Sequence, residues 1–227
     1  DAVAFMWKEI GKYNQNLPEV HILLQLFKLC GQIVAPGVAY IAEAIVQPEE
    51  IIKYFGEGIA AGDECDIAYN ANFMALSWEA MATRSTELIK KSMKAVPVKP
   101  RNTTWINYAR CHDDIGLGFD DALVKELGLD SLAHRLYILQ YFCDGFNGSA
   151  ALGQRFMTEP ETGKARISGS LAALCGLEKA VSENNGNEFY LAVKRINLQH
   201  AIILSLGGLP MIYSGDEIAT PNNYDYL

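Results

Sequence analysis

Three apolar stretches of the chain are each followed, at once or within a few residues, by acidic side chains, and these acids are the residues best suited to chemistry. The stretches and the acids after them are 38–42 with Glu43, 105–108 with Asp113 and Asp114, and 209–213 with Asp216 and Glu217. A buried carboxylate is costly unless it is paired or functional. An ion pair with Lys or Arg is an equal alternative for Glu43, whereas His112, Asp113 and Asp114 together are better suited to a site than to a core.

The elements around these acids indicate how they are positioned. Residues 38–114 alternate between strand-like and helix-like segments, which is typical of βαβ units and a parallel sheet. In a parallel barrel the carboxyl ends of the strands meet at one face, where catalytic residues collect. We therefore expect Glu43 and Asp113 to share a pocket, with their carboxyl groups no more than about 12 Å apart.

The remaining segments complete the predicted domain organisation. A helix is expected from a cap at Asn16 to about Ile33, and another from Phe189 to Leu206 before the last strand. The stretch at 116–187 is too long for a plain loop, so it is predicted to be an insertion with its own structure. The predicted divisions are a barrel part at 1–115, an inserted subdomain at 116–187 and a second barrel part at 188–227.

Bulk composition excludes several classes of protein. The chain has 227 residues, 50% of them apolar, and a net charge of -8 without a basic run, which disfavours nucleic acid as a partner. It has no apolar run of the roughly 18 residues needed to span a membrane. The five cysteines are widely spread and form no Cys-x-x-Cys pair, which argues against disulfides and a zinc site. They are expected to be small buried hydrophobes of a reduced compartment, which favours the cytoplasm slightly.

Four motifs in order resemble one known family. Arg110-Cys111-His112-Asp113-Asp114-Ile115-Gly116 resembles the seventh-strand motif of the α-amylase superfamily of glycoside hydrolases, in the form most similar to amylosucrases. The other three motifs are 1–8 for the tail of strand four, 41–46 for strand five and 208–217 for strand eight. The resemblance covers essentially the whole chain. It implies an α/β fold, the C-terminal half of a (β/α)8 TIM-type barrel, with strands five to eight and a mostly helical insertion between strands seven and eight.

The resemblance also implies roles for individual residues. Asp1 matches the nucleophile, Glu43 the general acid/base, and Asp113 the acid that stabilises the cationic sugar. His112 matches the position that contacts sugar hydroxyls. Two further residues, Asp114 and Arg166, match positions that line acceptor subsites. Arg110 remains open between a structural ion pair and a role in the site.

The implied function is retaining α-glucosyl transfer from sucrose or a related α-glucoside, building α-glucan by double displacement. Such chemistry requires no metal and no organic cofactor, and its partners are the sugar donor and an α-glucan or maltooligosaccharide acceptor. A hydrolase of sucrose or α-glucans is the alternative within enzymes. A non-catalytic carbohydrate-binding or structural barrel fragment is the alternative from a different class.

Some positions depart from the family pattern. The Arg of strand four would precede Asp1, and the Arg that follows strand eight would come after Leu227, so residues 1–227 alone are expected to be inactive and poorly soluble. Cys111 and Asn147 replace residues common in the amylosucrase motifs. These two changes bear on donor or acceptor preference.

Overall fold

The computed structural model describes residues 1–225. The helices are α1 Pro18–Val34, α2 Pro48–Ile51, α3 Ala71–Thr83, α4 Glu87–Ala95, α5 Asp121–Glu126, α6 Ser131–Cys143, α7 Leu171–Leu174, α8 Leu177–Ser182 and α9 Gly186–Ser205. The strands are β1 Ile41–Ala42, β2 Ile67–Tyr69, β3 Thr104–Tyr108, β4 Gln154–Phe156, β5 Arg166–Ser168 and β6 Leu209–Met211. Across this part of the chain, the helices are all too short or too polar to cross a bilayer.

A four-stranded sheet has the order β1-β2-β3-β6. β1 and β3 both pair in parallel with β2, and Ala68 of β2 lies opposite Ala42 on one side and Trp105 on the other. Helices connect these strands, as parallel pairing requires. The predicted α/β class with a parallel sheet is therefore confirmed, while the half-barrel with strands five to eight stays a prediction.

The chain divides into two compact units. Unit 1 consists of Asp1–Asn72, Lys94–Asn107 and Gly207–Leu209, and unit 2 is the rest of the described chain. Unit 1 has an apolar cluster in which Tyr54 and Phe55 are fully buried. The edge of Phe55 packs against the Trp105 ring, with the centroids 5.1 Å apart. Aromatic packing of this kind contributes to stability beyond the area it buries.

Helix α1 is attached to unit 1 by polar as well as apolar contacts. The buried Lys28 ammonium pairs with the Asp66 carboxylate, which also accepts a hydrogen bond from the Tyr40 amide at 2.8 Å. Glu64 is buried and accepts hydrogen bonds from His21 and Gln25 of the helix, at 2.8 and 2.9 Å. Each buried charge therefore has a partner, as a stable core requires.

Unit 2 holds most of the remaining helices and a second, two-stranded sheet. β4 and β5 form an antiparallel hairpin in which Arg155 lies opposite Ile167. The Trp78 ring of α3 is fully buried and meets Phe142 of α6 edge-on, with the centroids 5.4 Å apart. These large apolar side chains form the centre of the unit.

Several local predictions differ from the structure. β1 is a pair of residues rather than the predicted run 38–42, and α1 is capped by Leu17 because the Asn16 side chain accepts a hydrogen bond from the Tyr54 hydroxyl instead. The expectation of buried cysteines is wrong for Cys30, which is exposed. Burial raises the pKa of the Cys65, Cys143 and Cys175 thiols to about 12.

Candidate active site

Glu43 follows β1 directly in unit 1, and its side chain is half-buried. Its two neighbours, Ala42 and Ala44, are buried in the apolar cluster of the unit. The β1 backbone is fixed by pairing Ile41 with Ile67 in β2. The position of the predicted acid/base is therefore set by sheet register and by the burial of small residues on both sides of it.

Asp1 lies in the same unit, with its side chain exposed. The backbone turns at Ala2, where φ is 49°, into a short 3-10 helix, Val3–Phe5. Ala4 of this helix is buried in the same apolar cluster as Ala42 and Ala44. The segments that carry the predicted nucleophile and acid/base thus pack against one core.

His112 and Asp113 follow β3 in unit 2. Their side chains are 55% and 47% exposed, and His112 Nε2 lies 3.7 Å from Asp113 Oδ1. Asp114 is half-buried, and the preceding Cys111 is buried. The sequence therefore folds into a turn that leaves an imidazole and a carboxylate side by side with access to solvent, which suits contact with a polar substrate.

Arg110 begins this turn and forms an ion pair, one of the alternatives that the sequence left open. Its Nη1 lies 3.0 Å from Asp216 Oδ1, and its guanidinium stacks on the Tyr213 ring at 4.6 Å. Burial raises the pKa of Asp216, while the charge and hydrogen bond of Arg110, the Leu171 amide and His200 lower it. Asp216 is therefore one of the strand-end acids that serves as a structural partner.

The other strand-end acid of that pair, Glu217, has a local role. Its Oε2 accepts a hydrogen bond from the Gly215 amide at 2.7 Å. A side chain that accepts from the backbone two residues before it stabilises a tight turn. Among the strand-end acids of unit 2, Asp113 therefore differs from Asp216 and Glu217 in that its exposed carboxylate lies beside the His112 ring rather than against a partly buried cation or a turn amide.

Arg166 lies in β5, and its side chain is exposed. An antiparallel bridge between Ile115 and Ile167 brings β5 beside the chain that follows Asp114. Arg166 lines a cavity of about 430 Å³, and the other residues of its wall are Gly116, Leu117, Gly118, Arg135, Met157, Glu159, Lys164 and Ala165. Within unit 2, the strand that carries Arg166 therefore lies beside the chain that follows Asp114.

Sequence reasoning missed Arg135 and Lys164 in the wall of this cavity. Arg135 donates to the carbonyls of Leu117 and Phe119 at 3.0 and 2.7 Å, and so fixes the loop that forms one side. The Pro-Glu-Thr-Gly sequence at 160–163 is typical of a turn, but no strand pattern marks the residues on either side of it. A hairpin assignment around that turn would have placed Lys164 and Arg166 together.

No protein-family model matches the chain. Curated proteins do: the chain is 28% identical over 224 residues to glucosylglycerate phosphorylase of Escherichia coli and 27% identical over 218 residues to the trehalose synthase/amylase of Mycolicibacterium smegmatis. These alignments cover 99% and 96% of the chain but 37% and 30% of the relatives. The chain therefore spans about a third of the length of the curated relatives it matches.

A solved structure shares the fold. The crystal structure of sucrose 6F-phosphate phosphorylase from Thermoanaerobacter thermosaccharolyticum superposes with a TM-score of 0.59 at 19% identity, covering 100% of the chain and 40% of that protein. The relatives and this structure are enzymes of the α-amylase superfamily. The narrower resemblance to amylosucrases stays a prediction. Over nearly its whole length, the chain is similar to α-glucoside-active enzymes of the α-amylase superfamily.

Proposed function

We propose that the chain carries the catalytic acids of a retaining enzyme that transfers α-glucosyl groups from sucrose or a related α-glucoside to build α-glucan. The observation that carries this proposal is the packing of the Asp1 and Glu43 segments against one apolar cluster in unit 1. A nucleophile and an acid/base need such a fixed relation, since retaining mechanisms place the two carboxyl groups about 5 Å apart. The similarity to α-glucoside enzymes supports the same reaction class.

Each acid has its own role in the proposed mechanism. Glu43 protonates the glycosidic oxygen while Asp1 attacks the anomeric carbon, so the leaving sugar departs and a covalent glycosyl-enzyme forms. Glu43 then removes the proton from an acceptor hydroxyl, whose oxygen attacks the same carbon and releases Asp1. Two inversions leave the α configuration unchanged. The Asp113 carboxylate stabilises the positive charge that develops on the sugar, and His112 holds its hydroxyls.

The acceptor is assigned to the cavity that Arg166 lines, whose wall begins two residues after Asp114, at Gly116. Its volume of about 430 Å³ falls within the roughly 300–1,000 Å³ of small-ligand sites. Guanidinium, ammonium and carboxylate groups in its wall offer hydrogen bonds to sugar hydroxyls. Arg166 binds the acceptor in this proposal, and Asp114 orients it.

A second candidate is phosphorolysis, in which inorganic phosphate replaces the sugar acceptor. Two observations favour it: relatives named as phosphorylases, and a cavity wall in which Lys164 and Arg166 outnumber the single acid Glu159. Arg135 adds no net charge because it pairs with Asp121. Phosphate is a natural ligand for such a cationic wall.

Products from sucrose distinguish the candidates, using the protein that contains this chain. Fructose with α-glucan indicates transfer, fructose with glucose indicates hydrolysis, and glucose 1-phosphate made only when phosphate is present indicates phosphorolysis. A non-catalytic protein releases nothing. This assay also tests the reaction class as a whole, because all three reactions share the first step.

The Glu43→Gln variant tests the assignment of the acid. The amide keeps the shape of the side chain but cannot donate the proton, so turnover of sucrose should fall by at least about 100-fold. An activated donor with a good leaving group should still form the glycosyl-enzyme. Glu57→Gln, on an exposed site of the same unit, is the matched control and should keep full turnover. Near-normal turnover of sucrose in Glu43→Gln would remove Glu43 from the mechanism.

A further inference from the structure

We infer that Arg110 is a positioning residue for Asp113, acting through its ion pair with Asp216. This inference rests on the proposed function, because it takes Asp113 as the acid that contacts the sugar. We call residues 110–114 the acid segment. Arg110 is its first residue and Asp114 its last, and the whole segment lies in unit 2.

Both ends of the acid segment are held by hydrogen bonds. On one side, the buried Trp78 ring donates its Nε1 hydrogen to the Ala109 carbonyl at 2.7 Å. On the other side, Ile115 exchanges two backbone hydrogen bonds with Ile167, at 2.8 and 2.9 Å. The acid segment is therefore a short loop fixed at both ends. The path of its backbone depends on the contacts that residues 110–114 make themselves.

Arg110 restrains the segment through two contacts of different kinds, an ion pair and a stacking contact. Its Nη1 donates to Asp216 Oδ1 at 3.0 Å, and the flat face of its guanidinium lies over the Tyr213 ring at 4.6 Å. A planar group fixed at its edge and on its face has little freedom to rotate. The Arg110 backbone, three residues before Asp113, is restrained with it.

The anchor on the opposite side is itself rigid. The Asp216 side chain is 3% exposed and also accepts from the Leu171 amide. Its own amide donates to the Tyr213 carbonyl at 3.0 Å in a tight turn. The turn begins at Gly215, where φ is 99° and a Cβ would come within 2.8 Å of Thr220 Oγ1. The Asp216 carboxylate is thus positioned by contacts other than the one with Arg110.

A stabilising role alone does not account for this arrangement. Replacing a buried ion pair by well-packed apolar residues is often neutral or favourable for stability. What an apolar pair cannot reproduce is direction, because hydrogen bonds fix angles and apolar contacts do not. The charged pair is therefore suited to orient the acid segment rather than to hold the fold together.

The test is the double variant Arg110→Met with Asp216→Leu, in the protein that contains this chain. We expect its Tm to stay within about 3 °C of the parent. We expect kcat for sucrose to fall about 10- to 100-fold, as for a misplacement near 1 Å. KM should change by less than about threefold, because Asp113 acts on the charge that develops during the reaction. A kcat within about twofold of the parent would overturn the inference.

A matched pair provides the control. Lys91 and Glu126 also form an ion pair in unit 2, with Nζ 2.8 Å from Oε2, and neither residue lines the cavity of Arg166 or a cavity that Arg110 lines. The variant Lys91→Met with Glu126→Leu removes the same charges and should leave kcat unchanged. An equal fall of kcat in both double variants would contradict a specific role for Arg110.

If the first double variant fails to fold, Arg110→Lys decides the question. Lysine keeps the charge that Asp216 needs but lacks the planar fork and the stacking face. A lowered kcat at unchanged Tm supports positioning, and an unchanged kcat overturns it. Amide hydrogen exchange of residues 111–114, which should accelerate in these variants, supplies a readout that needs no turnover. Asp113→Asn separates the two ideas: if it keeps full turnover, the proposed function fails, while the exchange data still test the hold on the segment.

Discussion

The two strand ends that carry predicted catalytic acids are held in different ways. After β1, Glu43 is flanked by Ala42 and Ala44, both buried in the apolar cluster of unit 1. After β3, the acid segment is held by directional contacts from Trp78 and Asp216. The first strand end is held by sheet pairing and by the packing of small apolar residues, and the second by side-chain hydrogen bonds and charge.

This difference has consequences for what each strand end tolerates. Apolar packing is strong in sum but fixes no angle, so the β1 end depends on the whole cluster remaining intact. Each hydrogen bond contributes only a modest net free energy, but a buried donor or acceptor that loses its partner is costly. The stability of unit 1 should therefore be most sensitive to substitutions that remove buried side-chain volume. The acid segment should be most sensitive to substitutions that remove a hydrogen-bonding or charged partner.

The largest expected effect breaks the apolar side of this comparison. Phe55→Ala removes a fully buried ring from the cluster and leaves a cavity against Trp105. The free energy of unfolding should fall by about 3–5 kcal/mol. Urea denaturation followed by circular dichroism measures it, with Tyr13→Ala on an exposed site of unit 1 as the control. Similar losses in the two variants would show that the cluster does not hold the unit.

The next effect breaks the polar side. Arg110→Met alone leaves the Asp216 carboxylate buried without its cation. Because the arginine is 18% exposed and partly screened, the cost should be about 2–4 kcal/mol rather than the upper range for buried pairs. Adding Asp216→Leu should recover most of this loss. Thermal and urea unfolding of the single and double variants measure it, and a double variant as unstable as the single would contradict a charge-based hold.

A smaller effect comes from the other end of the acid segment. Trp78→Phe keeps an aromatic ring against Phe142 but removes the donor to the Ala109 carbonyl. Losing one hydrogen bond and leaving its buried acceptor unpaired should cost about 1–2 kcal/mol. Trp7→Phe, which is exposed, should change stability by less than about 0.5 kcal/mol. Equal losses of stability in the two variants would show that the hydrogen bond from Trp78 does not stabilise the fold.

The parallel α/β fold could be predicted because alternation of strand and helix segments is a local property. The length of β1 could not. The predicted run 38–42 is apolar throughout, but Tyr40 donates its amide to the Asp66 side chain and accepts two amides with its carbonyl. A side chain that competes for the backbone shortens the ladder. The β4–β5 hairpin was missed because β4 is the three-residue run Gln-Arg-Phe, which is too short and too polar to show an apolar pattern of period two.

The candidate residues could be named from their positions after the strands, but their environments could not. Arg110 and Asp216 are 106 residues apart, and nothing in the local pattern of either predicts the other as its partner. Tertiary contacts also decide which strand-end acid stays exposed and which becomes buried as a structural partner. Asp113 and Asp216 both follow apolar runs, yet the first is half exposed and the second is buried.

The smallest expected effect concerns how stability depends on pH at Asp216. Burial is the main cause that raises the pKa of this carboxyl above its ordinary 3.8. The folded protein therefore keeps the proton at pH values where the unfolded chain has released it. The contribution of Asp216 to stability is full below about 3.8 and falls as pH rises through the raised pKa, then stays level. The difference in free energy of unfolding between the parent and Asp216→Asn, measured in urea from about pH 4 to about pH 7, should decline in that window.

Arg110→Met sharpens this prediction because it removes the cation that counteracts the effect of burial on the pKa of Asp216. The Arg110 charge and hydrogen bond lower the pKa of Asp216, so without them the pKa rises further and the window of declining stability extends to higher pH. The other groups near the carboxyl are His200, whose charge lowers its pKa, and the Cys175 thiol, which stays protonated because burial raises its pKa to about 12. Comparing Arg110→Met with Arg110→Met/Asp216→Asn across the same pH range isolates the carboxyl in this background. A decline that does not move upward would show that Arg110 does not affect the charge state of Asp216, and the contacts of Trp78 and Ile115 would then carry the argument for a polar hold on the acid segment.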